Sequence, residues 1–594
     1  MAQYHCADLT PAHARARRER FSRLSTRLSV GLLAGTLLLS PLAVAQQAIL
    51  EGERFHPQES AHGMVATSHF LASEVARDVL AQGGNAVDAA VTAGFALAVT
   101  QPRSGNIGGG GFMLVSDEAS GEVIAIDYRE TAPAAATETM FQDEEGEVVT
   151  ERSRYTHLAA GVPGTVAGLA LALEEYGTLN LAEALAPAIR LAEEGFAVPP
   201  RFVKGLEATR ERFEPWESSM ATFFKEDGAS YQAGEIFRQP ELAATLRRIA
   251  EQGASEFYEG ETARLLVAEM EKHGGLMTLD DLASYEPVVR EPSHGTYRGH
   301  DIYAMSPPSS GGVHIVQMLN VLEDYPIAEM GFGGADTMHV MAEAMKRAYA
   351  DRAEYLGDTD FVEVPLEGLT SKAYADELRT QIAMDQATPS DTIKPGNPAA
   401  YESNETTHFS IVDDNGLAVS NTYTINFSYG SGIVVEGAGF LLNNEMDDFS
   451  AKPGVPNAYG LIGGAANKVE PGKRMLSSMT PTIVKKDGKN FLITGSPGGS
   501  RIITTTLQVL MNVIDHDMNI QSAVSAPRMH HQWLPDEIRI EQGFSPDTLS
   551  LLEQRGHVIS LQPAMGAAQS IVIEDGMYYG GADPRRSTSS AIGL

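Results

Sequence analysis

Few side chains in this sequence can do covalent chemistry, and their order along the chain is informative. The only cysteine, Cys6, falls in an N-terminal stretch that reads as a removable leader, so the remaining chain has no thiol nucleophile, disulfide or cysteine metal ligand. Hydroxyl chemistry is left. Thr406-Thr407 opens the alternating run TTHFSIVD, and a threonine hydroxyl is a weak nucleophile unless an adjacent base removes its proton. Downstream come Thr424 and Asn426 in TYTINFSYGSG, Glu445 and Asp448 in LLNNEMDDFSAKPG, Ser477 and Ser478 in KRMLSSMTPTIV, and Gly498 and Gly499 in GSPGGSRIITT. Far upstream, Arg129 closes the apolar run EVIAIDYRE. Carboxylates can pair a buried ammonium, the planar guanidinium fork suits a carboxylate, and adjacent glycines let backbone N–H groups approach a developing oxyanion. Taken singly, each feature has an ordinary reading: β-branched residues favour strands, EMDD resembles a solvated turn, and Gly-Gly pairs make loops.

Two other patterns are set aside. The glycines of GNIGGGGFM lack dinucleotide-fingerprint spacing and precede a strand instead of a helix. His530-His531 are adjacent, so in a strand they point apart, and no HExxH or cysteine-rich motif accompanies them. No metal and no cofactor are expected.

The elements that must position these residues follow from periodicity. Residues 68–100 read as two Ala-rich helices around a Gly-Gly-Asn turn, and residues from about 160 to 400 are largely helical by period. Near residue 400 the pattern changes to three hairpins, turning at Asp-Asn-Gly, Lys-Asp-Gly-Lys and Glu-Asp-Gly. Helices followed by strand pairs imply an α+β body of sheets sandwiched by helices, without internal repeats or a linker that separates domains. Thr424 and Asn426, two residues apart, are expected on one face of a strand.

With 594 residues and a net charge of −34, the chain is a large globular protein whose dispersed acidity repels polyanions, which excludes nucleic acid as a partner. The same acidity is read first as keeping the protein soluble, and more sharply as adaptation to salt, where screening relieves self-repulsion. A basic stretch over residues 15–27, an apolar run and the small-x-small site Ala43-Val44-Ala45 read as a secretory signal peptide over residues 1–45; Arg17-Arg18 fits a twin-arginine signal poorly. No later run reaches the roughly 20 apolar residues of a membrane span.

Taken together and in order, the motifs resemble the γ-glutamyltransferase family of N-terminal-nucleophile hydrolases. The match covers nearly the whole chain and includes YRETAP, HLAAGVPGTVAG and PPSSGG. The resemblance implies an αββα sandwich that cuts itself between Glu405 and Thr406 into a heavy subunit, 46–405, and a light subunit, 406–594. It implies that Thr406 is the nucleophile, that its freed amine is the base, and that Thr424 supports it. It implies that Gly498 and Gly499 form the oxyanion hole. Arg129, Ser477 and Ser478 would hold the substrate α-carboxylate, Glu445 and Asp448 the α-amine, and Asn426 would touch the substrate. Glu445 stands where some bacterial members carry Gln. PGVPNAYGLIGGAAN resembles a lid loop with Tyr459 as its aromatic cover. The implied activity is transfer of the γ-glutamyl group of glutathione and similar amides to water, amino acids or peptides, in the periplasm or outside the cell. The rivals are an acylase for glutaryl, cephalosporin or poly-γ-glutamate substrates, and a non-catalytic periplasmic binding protein.

Overall fold

In the computed structural model, residues 56–395, 406–452 and 464–594 are described. The leader with Cys6, Glu405 and Tyr459 therefore lie outside the described residues.

All three expected hairpins form. Thr407–Val412 pairs antiparallel with Leu417–Thr424, Thr482–Lys486 with Lys489–Thr494, and Gln569–Glu574 with Met577–Ala582. The two-residue turns Asp487-Gly488 and Asp575-Gly576 have positive φ at both positions, the backbone that continues the right-handed twist of the flanking strands.

The first hairpin occupies the middle of a seven-stranded sheet ordered Ser590–Gly593, Met64–Thr67, Thr407–Val412, Leu417–Thr424, Gly110–Asp117, Val123–Tyr128, Val288–Arg290. The other two hairpins belong to a second seven-stranded sheet, ordered Gln58–Ser60, Met577–Ala582, Gln569–Glu574, Lys489–Thr494, Thr482–Lys486, His300–Ala304, Ser293–Tyr297. Residues on either side of position 406 thus contribute strands to both sheets.

Alternation along the strands builds four layers. Phe112 and Leu114 face Ile483, Ile493 and Ile571 across the space between the sheets. The intervening Met113 and Val115 face the helices Phe70–Ala81 and Ala86–Thr100. On the far side of the second sheet, Val484, Leu492 and Val572 pack against Gly311–Leu322, Ala335–Tyr355 and Arg501–Ile514. The order is α, β, β, α. Each fully buried Leu, Ile, Phe or Met in the inter-sheet layer contributes about 1.5–3 kcal/mol. A one-residue slip would turn the whole set outward, so burial holds the register that places the residues around Thr406.

The Ala-rich helix Ala86–Thr100 is buried at every position, which its small side chains permit, and Asn85 and Asp88 close its start as a capping box. Within residues 160–400, read as largely helical, the structure also places Val288–Arg290, Ser293–Tyr297 and His300–Ala304. Ser293–Tyr297 has no apolar alternation to announce it, because it lies at a sheet edge where the partner strand, not burial, sets the backbone. No helix among the described residues is long and apolar enough to cross a membrane.

Candidate active site

Thr406 precedes the central strand Thr407–Val412 and is 3% exposed. Thr407 pairs with Tyr423, so one step further along the same register brings Thr406 opposite Thr424. Around this strand end the contacts are made by neutral groups and one arginine. Thr407 Oγ1 lies 2.7 Å from Ser68 Oγ and 3.0 Å from the Gln101 amide, and Arg586 Nη2 reaches Thr406 O at 3.5 Å. His408 is buried between the hydroxyls of Thr422 and Ser410, at 2.8 and 3.0 Å, and burial lowers its pKa to about 3, so the ring is neutral.

The His408 ring packs on Gly495, where a Cβ would come within 2.6 Å of it; this close approach brings the GSPGG loop against the strand that follows Thr406. Gly498 and Gly499 have φ of +140° and +60°, conformations that side chains rarely adopt, and lead into the helix Arg501–Ile514. Among the described residues neither glycine N–H donates a hydrogen bond. Two unspent donors at a helix N-terminus suit an oxyanion.

Thr424 ends its strand, and Asn426 does not continue it. Asn426 has φ of +69°, and its N–H donates to Thr424 Oγ1 at 2.8 Å, so the expected shared strand face is corrected to a turn. Threonine hydroxyls capture such N–H groups, and asparagine tolerates the left-handed region. The Asn426 side chain donates to Asn444 O at 2.9 Å, which ties it to the acidic segment.

That segment is a buried turn of 3₁₀ helix, Glu445–Asp448, not a solvated one. Arg129 meets it directly. Its Nη1 is 2.5 Å from Glu445 Oε1, its Nη2 is 2.5 Å from Asp448 Oδ2, and its Nε donates to Met475 O at 3.1 Å. Glu130, also fully buried, lies 3.5 Å from the same guanidinium. Arg129 therefore shares one pocket with both expected acids and with a third that the sequence reading passed over, although it sits in YRETAP. One guanidinium cannot neutralise three buried carboxylates. Burial raises Glu130 and Glu445 to about 8 and moves Asp448 in the same direction, and Arg129 is raised by its acidic neighbours despite its burial. Both Glu130 oxygens, Glu445 Oε2 and Asp448 Oδ1 have no hydrogen-bond partner among the described residues. With all three ionised, one guanidinium leaves the pocket short of two cations, and protonation of Glu130 and Glu445 below about pH 8 removes that deficit.

It also adjoins Thr424: Gly110 pairs with Thr424, and a Cβ at Gly110 would come within 2.6 Å of the Glu130 carboxylate. Ser477 and Ser478 are held by the PPSSGG segment, through Ser310 N–H to Ser477 O at 2.7 Å and Ser309 Oγ to Met479 O at 2.7 Å. Arg352 Nη2 lies 3.5 Å from Ser478 Oγ. Asn467 was also missed by sequence reasoning. It donates to Asp448 O at 2.7 Å and accepts from Leu476 N–H at 3.0 Å, clasping the acidic turn to the segment that leads into Ser477. Its position in GGAAN gave no signal, since only folding brings the two backbones together.

Four layers, with a buried threonine at the head of a central strand and a donor-lined glycine loop beside it, define an N-terminal-nucleophile hydrolase. The sequence model described as Gamma-glutamyltranspeptidase matches residues 72–593. A "Glutathione hydrolase proenzyme" of Escherichia coli (strain K12) is 55% identical over 538 residues, covering 90% of this chain and 92% of that protein. Among solved structures, cephalosporin acylase from Bacillus halodurans superposes with a TM-score of 0.82 at 31% identity, covering 93% of this chain and 99% of that one. Helicobacter pylori gamma-glutamyltranspeptidase superposes with a TM-score of 0.55 at 48% identity, covering 59% of this chain and 97% of that one. The chain belongs to the gamma-glutamyltranspeptidase family.

Proposed function

We propose that this enzyme is a γ-glutamyltransferase with glutathione hydrolase activity, exported to the periplasm or beyond and matured by cleavage between Glu405 and Thr406. Cleavage yields a heavy subunit ending at Glu405 and a light subunit beginning at Thr406. Before the cut, the Thr406 nitrogen is an amide and cannot act as a base. Afterwards it is an α-amine with an ordinary pKa of about 7.7–8.0, suited to take the hydroxyl proton near neutrality. Thr406 Oγ then attacks the γ-amide carbonyl, and the Gly498 and Gly499 N–H groups stabilise the oxyanion. The amine returns the proton to the leaving nitrogen, and a γ-glutamyl ester remains on Thr406. Water releases glutamate; an amino acid or peptide amine takes the γ-glutamyl group instead.

The observation that carries the γ-glutamyl assignment is the buried pocket with one guanidinium and three carboxylates. An α-ammonium gives the carboxyl groups a cationic partner beyond Arg129, while the α-carboxylate takes Ser477, Ser478 and a share of Arg129. A zwitterion therefore enters without adding net charge to the pocket. The structural likeness to a cephalosporin acylase favours a second reading, acylase activity on side chains without an α-amine. The pocket speaks against it, because such a group leaves the carboxylates unpaired.

The test is N-terminal sequencing of the purified protein together with assays on γ-glutamyl and glutaryl amides. One chain beginning Thr-Thr-His and a strong preference for γ-glutamyl substrates are expected. A single uncut but active chain, or equal turnover of the two amides, overturns the proposal.

A further inference from the structure

The fold brings together another set of side chains that no catalytic role absorbs. His157 lies in the single turn His157–Ala159, while Glu269 and His273 stand one turn apart on the helix Glu261–His273. An i, i+4 spacing puts carboxylate and imidazole on one helix face, and His157 comes to that face from a distant part of the chain. His157 Nε2 lies 2.9 Å from Glu269 Oε1, His273 Nε2 lies 3.6 Å from the same oxygen, and the three ligand atoms are all within 4.8 Å of one another. Zinc bonds of about 2.0–2.1 Å in a tetrahedron hold ligand atoms about 3.3–3.4 Å apart, a value between the two measured separations.

His157 and Glu269 are held inside, with side chains 1% and 4% exposed, whereas His273 is 30% exposed. Glu269 and His273 line a cleft of ≈ 580 Å³ whose wall also carries Trp216 and Glu436. Lys272, on the same wall, is paired with Glu436 at 2.8 Å.

We propose that His157, Glu269 and His273 bind a divalent transition-metal ion of the zinc class, leaving a fourth position open to water from the cleft. Two imidazoles and one carboxylate suit zinc, nickel or copper; calcium and magnesium favour all-oxygen sites. The two imidazoles now stack, with centroids 4.7 Å apart and planes at 15°. Ligation turns His273, the last residue of its helix, so that both nitrogens point at the ion. The ion would tie this helix to the segment carrying His157. Nearby, Ser153 donates to Asp447 of the acidic turn, and Gly161 N–H donates to Asn443, two residues before that turn, at 2.9 Å.

Trp216 provides a reporter, because its ring stands edge-on to both imidazoles, at 5.0 and 5.3 Å. The experiment titrates Zn²⁺ into chelator-treated enzyme by calorimetry and follows tryptophan fluorescence during a parallel Ni²⁺ titration. One saturable equivalent of Zn²⁺ and a quench that disappears in Trp216→Phe are expected. His273→Ala and Glu269→Gln should each weaken Zn²⁺ binding by about 10- to 100-fold or more. His273 is partly exposed and ends its helix, so its variant separates lost ligation from misfolding. No saturable Zn²⁺ binding by the parent, or unchanged affinity in both variants, overturns the assignment.

Discussion

The two ends of the catalytic pocket are built on opposite principles. Around Thr406 the partners are mainly neutral hydroxyls, amides, a neutral His408 and backbone N–H groups, all fixed by strand register and by one glycine loop. Around Arg129 the partners are ions, supplied by its neighbour Glu130 and by the distant turn Glu445–Asp448. A neutral nucleophile end can be buried and complete before substrate arrives. The ionic end gathers three carboxyl groups around one guanidinium, and the proposed function assigns to it the discrimination among acyl groups.

Thr406→Ala breaks this contrast most severely. The same hydroxyl is proposed to attack the Glu405 carbonyl in maturation and the substrate afterwards, so one uncut, inactive chain is expected on a denaturing gel. Thr406→Ser should retain part of both functions. Two chains from the alanine variant would refute self-processing by this hydroxyl.

Asp448→Asn acts on the ionic end alone. A charge-assisted contact to the α-ammonium is worth about 1.5–3 kcal/mol, so kcat/KM for γ-glutamyl amides should fall about 10- to 150-fold. Glutaryl amides should lose little or gain, and processing should continue. Equal losses for the two substrates would mean that Asp448 does not read the amine.

Asn467→Ala tests whether the clasp between the acidic turn and the segment before Ser477 is needed. Losing two buried hydrogen bonds there costs about 1–3 kcal/mol, and KM for γ-glutamyl amides should rise more than kcat falls. A loss confined to kcat would place its effect at the nucleophile end.

Stability against pH separates the two ends in the free enzyme. Burial raises Glu130 and Glu445 from an ordinary 4.5 to about 8. A raised carboxyl stabilises the fold fully below its unfolded value, and that contribution is lost as pH climbs through the folded value. The melting temperature of the free enzyme should therefore drop between about pH 4.5 and about pH 8, and a bound non-hydrolysable γ-glutamyl analogue should reduce the drop. Melting that is flat over this range would contradict neutral carboxyls in the pocket. Salt should have the smallest effect: with the Debye length near 3 Å at 1 M, the acidic surface repels itself less, while the buried ions are little screened. Activity in about 1 M salt should stay close to that at low salt; loss of most of it would remove the halotolerance reading.

Much of the nucleophile end was legible in advance because it is local. A threonine pair opening an alternating run, Asp-Gly turns between strands and a Gly-Gly loop all depend on neighbours within a few residues, and each formed as read; the helix Arg501–Ile514 after that loop was not read in advance. Asn426 was misplaced because strand alternation was extended one turn too far; the Thr424 hydroxyl captured the next free N–H and bent the chain. The partnership of Arg129 with Glu445 and Asp448 joins residues more than 300 positions apart, and spacing along the chain carries no such information.

By itself, the sequence determined the hairpins, the order of the chemical motifs and the family to which they point, because local backbone preference and periodic burial act within each segment. Only the tertiary structure decided that Arg129 already faces its acids, that Glu130 joins them in one buried pocket, that Asn467 clasps the acidic turn to the segment before Ser477 and that His157 meets Glu269 and His273. Those outcomes depend on which side chains are driven together out of water, and burial is a property of the packed layers as a whole.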